Sequence, residues 1–203
     1  MVAWSAASAS AVAQRCNDRL RELRHVPDQL LHPLRGLAVW RNIHRHGVPR
    51  SVLFVCQGNV CRSPFAAAAF ARALPVLLDG TVSTTSAGFI GPGRTPPESA
   101  LSAALRRDID LSAHRSELIR PDAARAADIV VVMSAEQAMA MRFRFAVLRA
   151  TVVVLGDLDP WPITGRTIRD PWNGGAAMFD EVYARIDRCV RELARLVTEA
   201  HVR

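Results

Sequence analysis

The spacing of apolar residues along the chain changes near Gly47-Val48-Pro49. Upstream, Val12, Cys16, Leu20 and Leu23 recur at helical spacing as far as Pro27. Leu34, Leu37, Trp40 and Ile43 do so again between Pro33 and Gly47. Apolar residues three and four apart share one face of a helix. Pro33 suits a first helical turn, where its missing N–H has no partner to lose. Residues 1–48 are therefore expected to form a helical hairpin, basic on its outer side, packed against the remainder of the chain or against a twin subunit in a homodimer.

Residues 49–203 read as a second unit in which strand and helix patterns alternate. Short β-rich or apolar runs at Ser51–Val55, Thr81–Ala87, Ile129–Met133 and Thr151–Leu155 predict strands. The stretches Pro64–Leu74, Pro97–Arg107, Ala135–Arg144 and Ala176–Glu199 predict helices. Such alternation predicts an α/β fold, a four-stranded parallel sheet flanked by helices on both faces. In sheets of this kind ligands bind beyond the C-terminal ends of the strands.

Composition narrows the class of function. The chain has 203 residues and a formal net charge of +7, all of its cationic side chains other than histidine being arginine. The arginines are scattered, without a basic-aromatic strip, so no nucleic-acid partner is expected. The surplus charge suits anionic substrates. No apolar run approaches the roughly 20 residues of a membrane span, and Met1–Ala13 lacks the basic start of a secretory signal; a cytoplasmic protein is expected. Arginine in place of lysine, beside many alanines, suggests a GC-rich bacterial genome. Four cysteines, Cys16, Cys56, Cys61 and Cys189, make no secreted disulfide framework and no zinc-finger spacing. Cys16 and Cys189 sit in amphipathic patterns and are expected to be buried thiols.

The chemistry concentrates in Val52-Leu53-Phe54-Val55-Cys56-Gln57-Gly58-Asn59-Val60-Cys61-Arg62-Ser63-Pro64. An apolar strand runs into a short turn, and Ser63-Pro64 opens a helix. Successive backbone N–H groups in such a turn curl into an anion-binding nest at the positive end of the helix. Gly58 and Asn59 tolerate the unusual φ values of that curl. Cys56, at the strand end and near the helix N-terminus, is favoured as thiolate over thiol, and the Ser63 hydroxyl is placed to donate to it. Arg62 offers a planar fork that matches two phosphoryl oxygens. A thiolate nucleophile with fixed donors around it is what in-line phosphoryl transfer requires.

Cys56–Pro64 resembles the signature loop of the low-molecular-weight protein tyrosine phosphatases, a fold shared with arsenate reductases. The likeness runs from Ser51 to the last helix through Ser86-Ala87-Gly88, His114-Arg115-Ser116 and Asp170-Pro171, and leaves residues 1–50 outside. It implies a two-step double displacement through a phosphocysteine, with no metal and no cofactor. Gln57, Gly58, Asn59, Val60, Cys61 and Arg62 would bind phosphate, with Asn59 and Ser86 hydrogen-bonding across to hold the strained loop. Cys61 would pair with Cys56 in a reversible disulfide that protects the nucleophile. Bacterial members of the family act on autophosphorylating tyrosine kinases, which sets the expected partner.

One carboxylic acid can protonate the leaving oxygen and later activate water. Two triplets compete, Asp159-Pro160-Trp161 and Asp170-Pro171-Trp172. Asp170 is preferred because it lies just before the terminal helix, as the acid does in the resembling family, while Asp159 is expected to be a turn residue. Trp172 would wall an aromatic slot, with Phe89 or Ile90 opposite. Arsenate reduction by a thioredoxin-coupled relay would need cysteines between Cys61 and Cys189, and none is present; reduction with a small thiol stays open. In the arginine-phosphatase branch a threonine follows the loop asparagine, and Val60 stands there instead, favouring phosphotyrosine. A non-catalytic phosphate-binding module would be expected to have lost the cysteine, arginine or acid, all of which are present.

Overall fold

A computed structural model describes residues 28–78, 80–148 and 151–201 of the chain. Residues 28–46 form helix α1. Then follow β1 (Ser51–Cys56), α2 (Arg62–Ala73), β2 (Ser83–Gly88), α3 (Glu98–Leu105), α4 (Pro121–Ala126), β3 (Ile129–Val132), α5 (Ala135–Phe143), β4 (Thr151–Val154) and α6 (Ala176–His201), with single 3-10 turns at Val76–Leu78 and Leu155–Leu158. The strands form one parallel sheet in the order β2-β1-β3-β4. The α/β class and the four-stranded parallel sheet are as expected from the alternating pattern.

Strand periodicity divides the apolar residues between two cores. Val52, Phe54, Cys56, Ile129, Val131 and Val153 face α2, α3 and α6, whereas Leu53, Val55, Val130, Val132 and Val154 face α4 and α5. A sheet covered on both sides leaves no polar face on its inner strands, which is why β1 and β3 read as continuous apolar runs. The larger core is closed by α6, whose Phe179, Val182, Tyr183, Ile186, Cys189, Val190 and Leu193 follow the 3.6-residue period inward. Phe65 of α2 stacks on Tyr183 with ring centroids 3.9 Å apart. Cys189 is a buried free thiol, as its position in this pattern implied.

The chain leaves β1 to one side for β2 and crosses to the other side for β3. The C-terminal end of β1 is therefore the point where strand order reverses, and a cleft opens there. Cys56 is the last residue of β1.

Two expectations need correction. Asp28 is already helical, so Pro33 lies within α1 and not in its first turn. Moreover only the later half of the expected α1 stripe meets the core, with Trp40 packed beside Ile43. Val39 and Ile43 are buried, while Leu34 remains 62% exposed and Leu37 is exposed as well. The earlier turns are held by polar contacts: the His32 Nε2 donates to the Asp159 carbonyl at 2.9 Å, and the Asp28 carboxylate accepts from the Arg166 N–H at 3.4 Å. The other expected helix, with Val12, Cys16, Leu20 and Leu23, lies outside the described residues. Helix α4 had no forecast, because six residues are too few to display a period.

Candidate active site

The turn between β1 and α2 wraps around the Cys56 sulfur. The Asn59 N–H lies 3.2 Å from Sγ and the Ser63 Oγ 3.1 Å from it, both donating. Asn59 adopts φ 51°, the left-handed conformation the curl requires, and asparagine tolerates it better than most residues. Its side chain is fully used: Nδ2 donates to Ser63 Oγ (2.9 Å) and Ser86 Oγ (2.8 Å), and Oδ1 accepts from the Glu117 N–H (2.8 Å). The pairing of Asn59 with Ser86 thus occurs as the resemblance implied. Sequence reading left His114 aside, yet its Nε2 donates to the Asn59 carbonyl at 2.7 Å. The histidine lies 55 residues further on, and only its place in the His114-Arg115-Ser116 segment hinted at the contact.

Arg62 is buried at the start of α2. Its Nη1 donates to the Ile168 carbonyl at 3.0 Å, and its Nη2 pairs with the Asp170 carboxylate. Its Nε is buried without a partner among the described residues. An unsatisfied buried donor costs free energy, so this edge of the fork favours an anionic acceptor. Asp170 is carried by a loop stitched to the end of β3 through the Ile168 N–H, which donates to the Met133 carbonyl at 2.8 Å. Its other oxygen accepts from the Trp172 N–H at 3.2 Å.

A cavity of about 480 Å³ opens over the sulfur, lined by Cys56, Gln57, Gly58, Val60, Cys61 and Arg62 at its floor. Trp172 and Ile90 belong to its walls, Trp172 half exposed at 50% and Ile90 at 48%. Of the two residues expected opposite Trp172, Ile90 lines the cavity. Phe89 does not: it turns to the other face of the sheet and packs edge-on against Phe145, centroids 5.9 Å apart. The chain bends directly after β2, the N–H groups of both residues donating to the Gln57 carbonyl (2.9 and 3.1 Å), so their side chains part to different sides. Arg94 and Arg169 also line the cavity and were not anticipated.

Asp159 is in a different place. It is buried, accepts from Arg185 Nε at 3.0 Å and Arg188 Nε at 3.2 Å, and borders a groove between α1 and α6. Its triplet forms a turn in which the Trp161 N–H lies 3.3 Å from Oδ1, and Arg188 stacks over the Trp161 ring at 4.2 Å. Cys61 is buried beside the nucleophile. Burial, reinforced by the neighbouring Cys56 and Asp170, pushes its thiol up to about 12, so at neutral pH it keeps its proton. The Tyr183 hydroxyl donates to the Cys61 carbonyl at 3.1 Å, tying α6 to the turn.

A cysteine sulfur receiving two hydrogen bonds, a buried arginine and a facing carboxylate at the switch point of a parallel sheet define a site for thiol-mediated transfer of a phosphoryl-like anion. Residues 51–203 match the family model described as low molecular weight phosphotyrosine protein phosphatase. The chain belongs to this family of phosphate-ester hydrolases. It is similar to the probable low molecular weight protein-tyrosine-phosphatase EpsP of Ralstonia solanacearum, 31% identical over 142 residues that span 70% of this chain and 91% of that protein. Among solved structures, the tyrosine phosphatase Wzb from Escherichia coli K30, in complex with sulphate, is 26% identical with TM-score 0.64, over 72% of this chain and 97% of that one. The YwlE arginine phosphatase from Geobacillus stearothermophilus is 25% identical with TM-score 0.64, over 74% and 94%.

Proposed function

We propose that the Cys56 sulfur attacks the phosphorus of a protein phosphotyrosine in line with the ester oxygen, and that Asp170 donates the proton the departing phenolate takes up. The phosphorus–oxygen bond breaks as the phosphorus–sulfur bond forms. Water then attacks the phosphocysteine, Asp170 accepts its proton, and inorganic phosphate leaves with the thiolate restored. Arg62 and the N–H groups of Gln57 to Arg62 hold the three equatorial oxygens. When phosphoryl oxygens occupy the Arg62 fork, its bond to Asp170 is released and the carboxyl is free to exchange protons. Ser63 steadies the sulfur as leaving group in the second step.

The observation that carries this reading is the pair of donors converging on Cys56 Sγ beside Arg62, at the base of a cavity walled by Trp172 and Ile90. A flat apolar slot above a phosphate site accepts an aryl ester, and a short aliphatic phosphoserine would not bring its phosphorus to the sulfur. Val60, buried in the loop, supports phosphotyrosine over phosphoarginine. We further infer a cytoplasmic setting, a bacterial tyrosine kinase as the phosphorylated partner, and a dimer formed through residues 1–48.

The test is turnover of phosphotyrosine, phosphoserine and phosphoarginine peptides by the full chain. Phosphotyrosine should be hydrolysed fastest, Cys56→Ser should be inactive, and Asp170→Ala should lose roughly 10²–10⁴ in kcat. Faster phosphoarginine hydrolysis would overturn the substrate, and an active Cys56→Ser the mechanism.

A further inference from the structure

The loop that follows β2 brings a cation to the edge of the cavity and against the phosphate-binding turn. Gly91 (φ 61°) and Gly93 (φ 76°) adopt left-handed conformations that fold this loop back on itself. Arg94 is thereby placed with its Nε donating to the Gly91 carbonyl at 3.0 Å and its Nη2 to the Ile90 carbonyl at 3.1 Å. The same Nη2 reaches across and donates to the Gly58 carbonyl at 2.9 Å. Glycine at 58 makes the approach possible, since a Cβ there would lie 2.8 Å from Nη2. Among the described residues no carboxylate pairs with Arg94. Ser116 also anchors the loop: its Oγ donates to the same Gly91 carbonyl (2.7 Å) and accepts from the Arg94 N–H (2.9 Å), while its backbone accepts from the Gly93 N–H (2.7 Å) and donates to the Arg94 carbonyl (2.9 Å).

The Gly58 carbonyl and the Asn59 N–H are the two ends of one planar peptide unit, pointing in opposite directions. Arg94 holds the oxygen end on the outside of the turn, and the N–H end donates to Cys56 Sγ on the inside. We propose that Arg94 is a positioning residue for the nucleophile, acting through this single peptide. A guanidinium on the oxygen draws electron density toward it and makes the N–H a stronger donor, so the charge is relayed to the sulfur without contact. The side chain and carbonyl of Asn59 are already fixed by Ser63, Ser86, Glu117 and His114. What Arg94 adds is therefore polarisation and orientation of the preceding peptide, beyond simple placement of the loop. The inference rests on Cys56 being the nucleophile.

The experiment is alkylation of the full chain by iodoacetamide over a pH series, compared on the acid limb of the wild-type rate profile where the thiolate fraction limits the rate, with mass spectrometry reporting the rate at Cys56. The reagent is neutral, so the rate follows the state of the sulfur and not the attraction of an anion to the site. Arg94→Gln should slow alkylation about three- to tenfold, the size of one charge-assisted hydrogen bond weakened but not lost. Arg94→Lys keeps the charge and a donor for Gly58, and Ser116→Ala loosens the loop by removing the two Oγ bonds while leaving the cation and the backbone bonds of Ser116; both should stay near the wild-type rate. An Arg94→Gln rate equal to wild type overturns the proposal. So does slowing by both Arg94→Lys and Ser116→Ala, which would mean that Arg94 merely packs the loop, and that outcome is readable even if Arg94→Gln does not fold. Turnover by Cys56→Ser would instead overturn the phosphocysteine mechanism, a separate result.

Discussion

The same three residues, Asp-Pro-Trp, occur twice within fourteen positions and meet opposite fates. The Asp159 side chain is 3% exposed between two arginines, whereas that of Asp170 is 46% exposed at the cavity and pairs with Arg62. Removing the charge at 159 strands Arg185 and Arg188 in a partly buried setting and should cost stability, about 2–4 kcal/mol. Asp159→Asn is thus expected to lower the urea midpoint and leave kcat unchanged, the reverse of Asp170→Ala. A folded Asp159→Asn protein with collapsed kcat would mean the acid had been assigned to the wrong triplet. The resemblance pointed to Asp170, because the acid of that family lies just before the last helix. The burial of Asp159 was not legible, since its arginines come from α6, 26 and 29 residues later. The same holds for Arg94 and His114: each acts on a backbone carbonyl of the turn, and carbonyls leave no trace in sequence.

Elements were legible in proportion to how far their own pattern specified their surroundings. The strands β1 and β3 and the helices α2 and α6 could be read because burial on known faces leaves a period. Helix α1 was read as a helix, and Trp40 and Ile43 of its expected stripe meet the core, but Leu34 and Leu37 stay exposed on turns held by contacts of Asp28 and His32 with distant backbone. Val39 and Ile43 join the larger core, and no residue of α1 lines the cavity over Cys56. Deleting residues 1–46 should therefore remove roughly 3–6 kcal/mol of apolar burial, lowering the melting temperature while kcat per folded molecule is retained. Loss of kcat in soluble, folded truncated protein would show that the helix reaches the site by another route. Sedimentation of the full and truncated chains decides the dimer: a monomeric full chain excludes it.

At the scale of the molecule, the larger core buries acidic groups that the chemistry does not use. Burial pushes the Cys189 thiol up to about 12, helped by the nearby Asp159 carboxylate, and Cys61 is likewise raised to about 12. Burial also raises the Tyr183 hydroxyl above its ordinary value. Below about pH 9 folded and unfolded chains both keep the thiol protons, and the shifts have no consequence. Above it the unfolded chain releases them while the folded chain retains them, so the native state binds more protons and stability must fall as pH rises. The loss should run from about pH 9 to about pH 12, each fully titrating group contributing roughly 1.4 kcal/mol per pH unit. Urea midpoints measured under reducing conditions at successive pH values should trace this decline. Cys189→Ala lowers the starting stability by opening a small cavity, but it should flatten the slope, because one of the retained protons is gone. An unchanged slope would mean that solvent reaches the thiol, and that α6 does not seal the sheet as tightly as its apolar face implies.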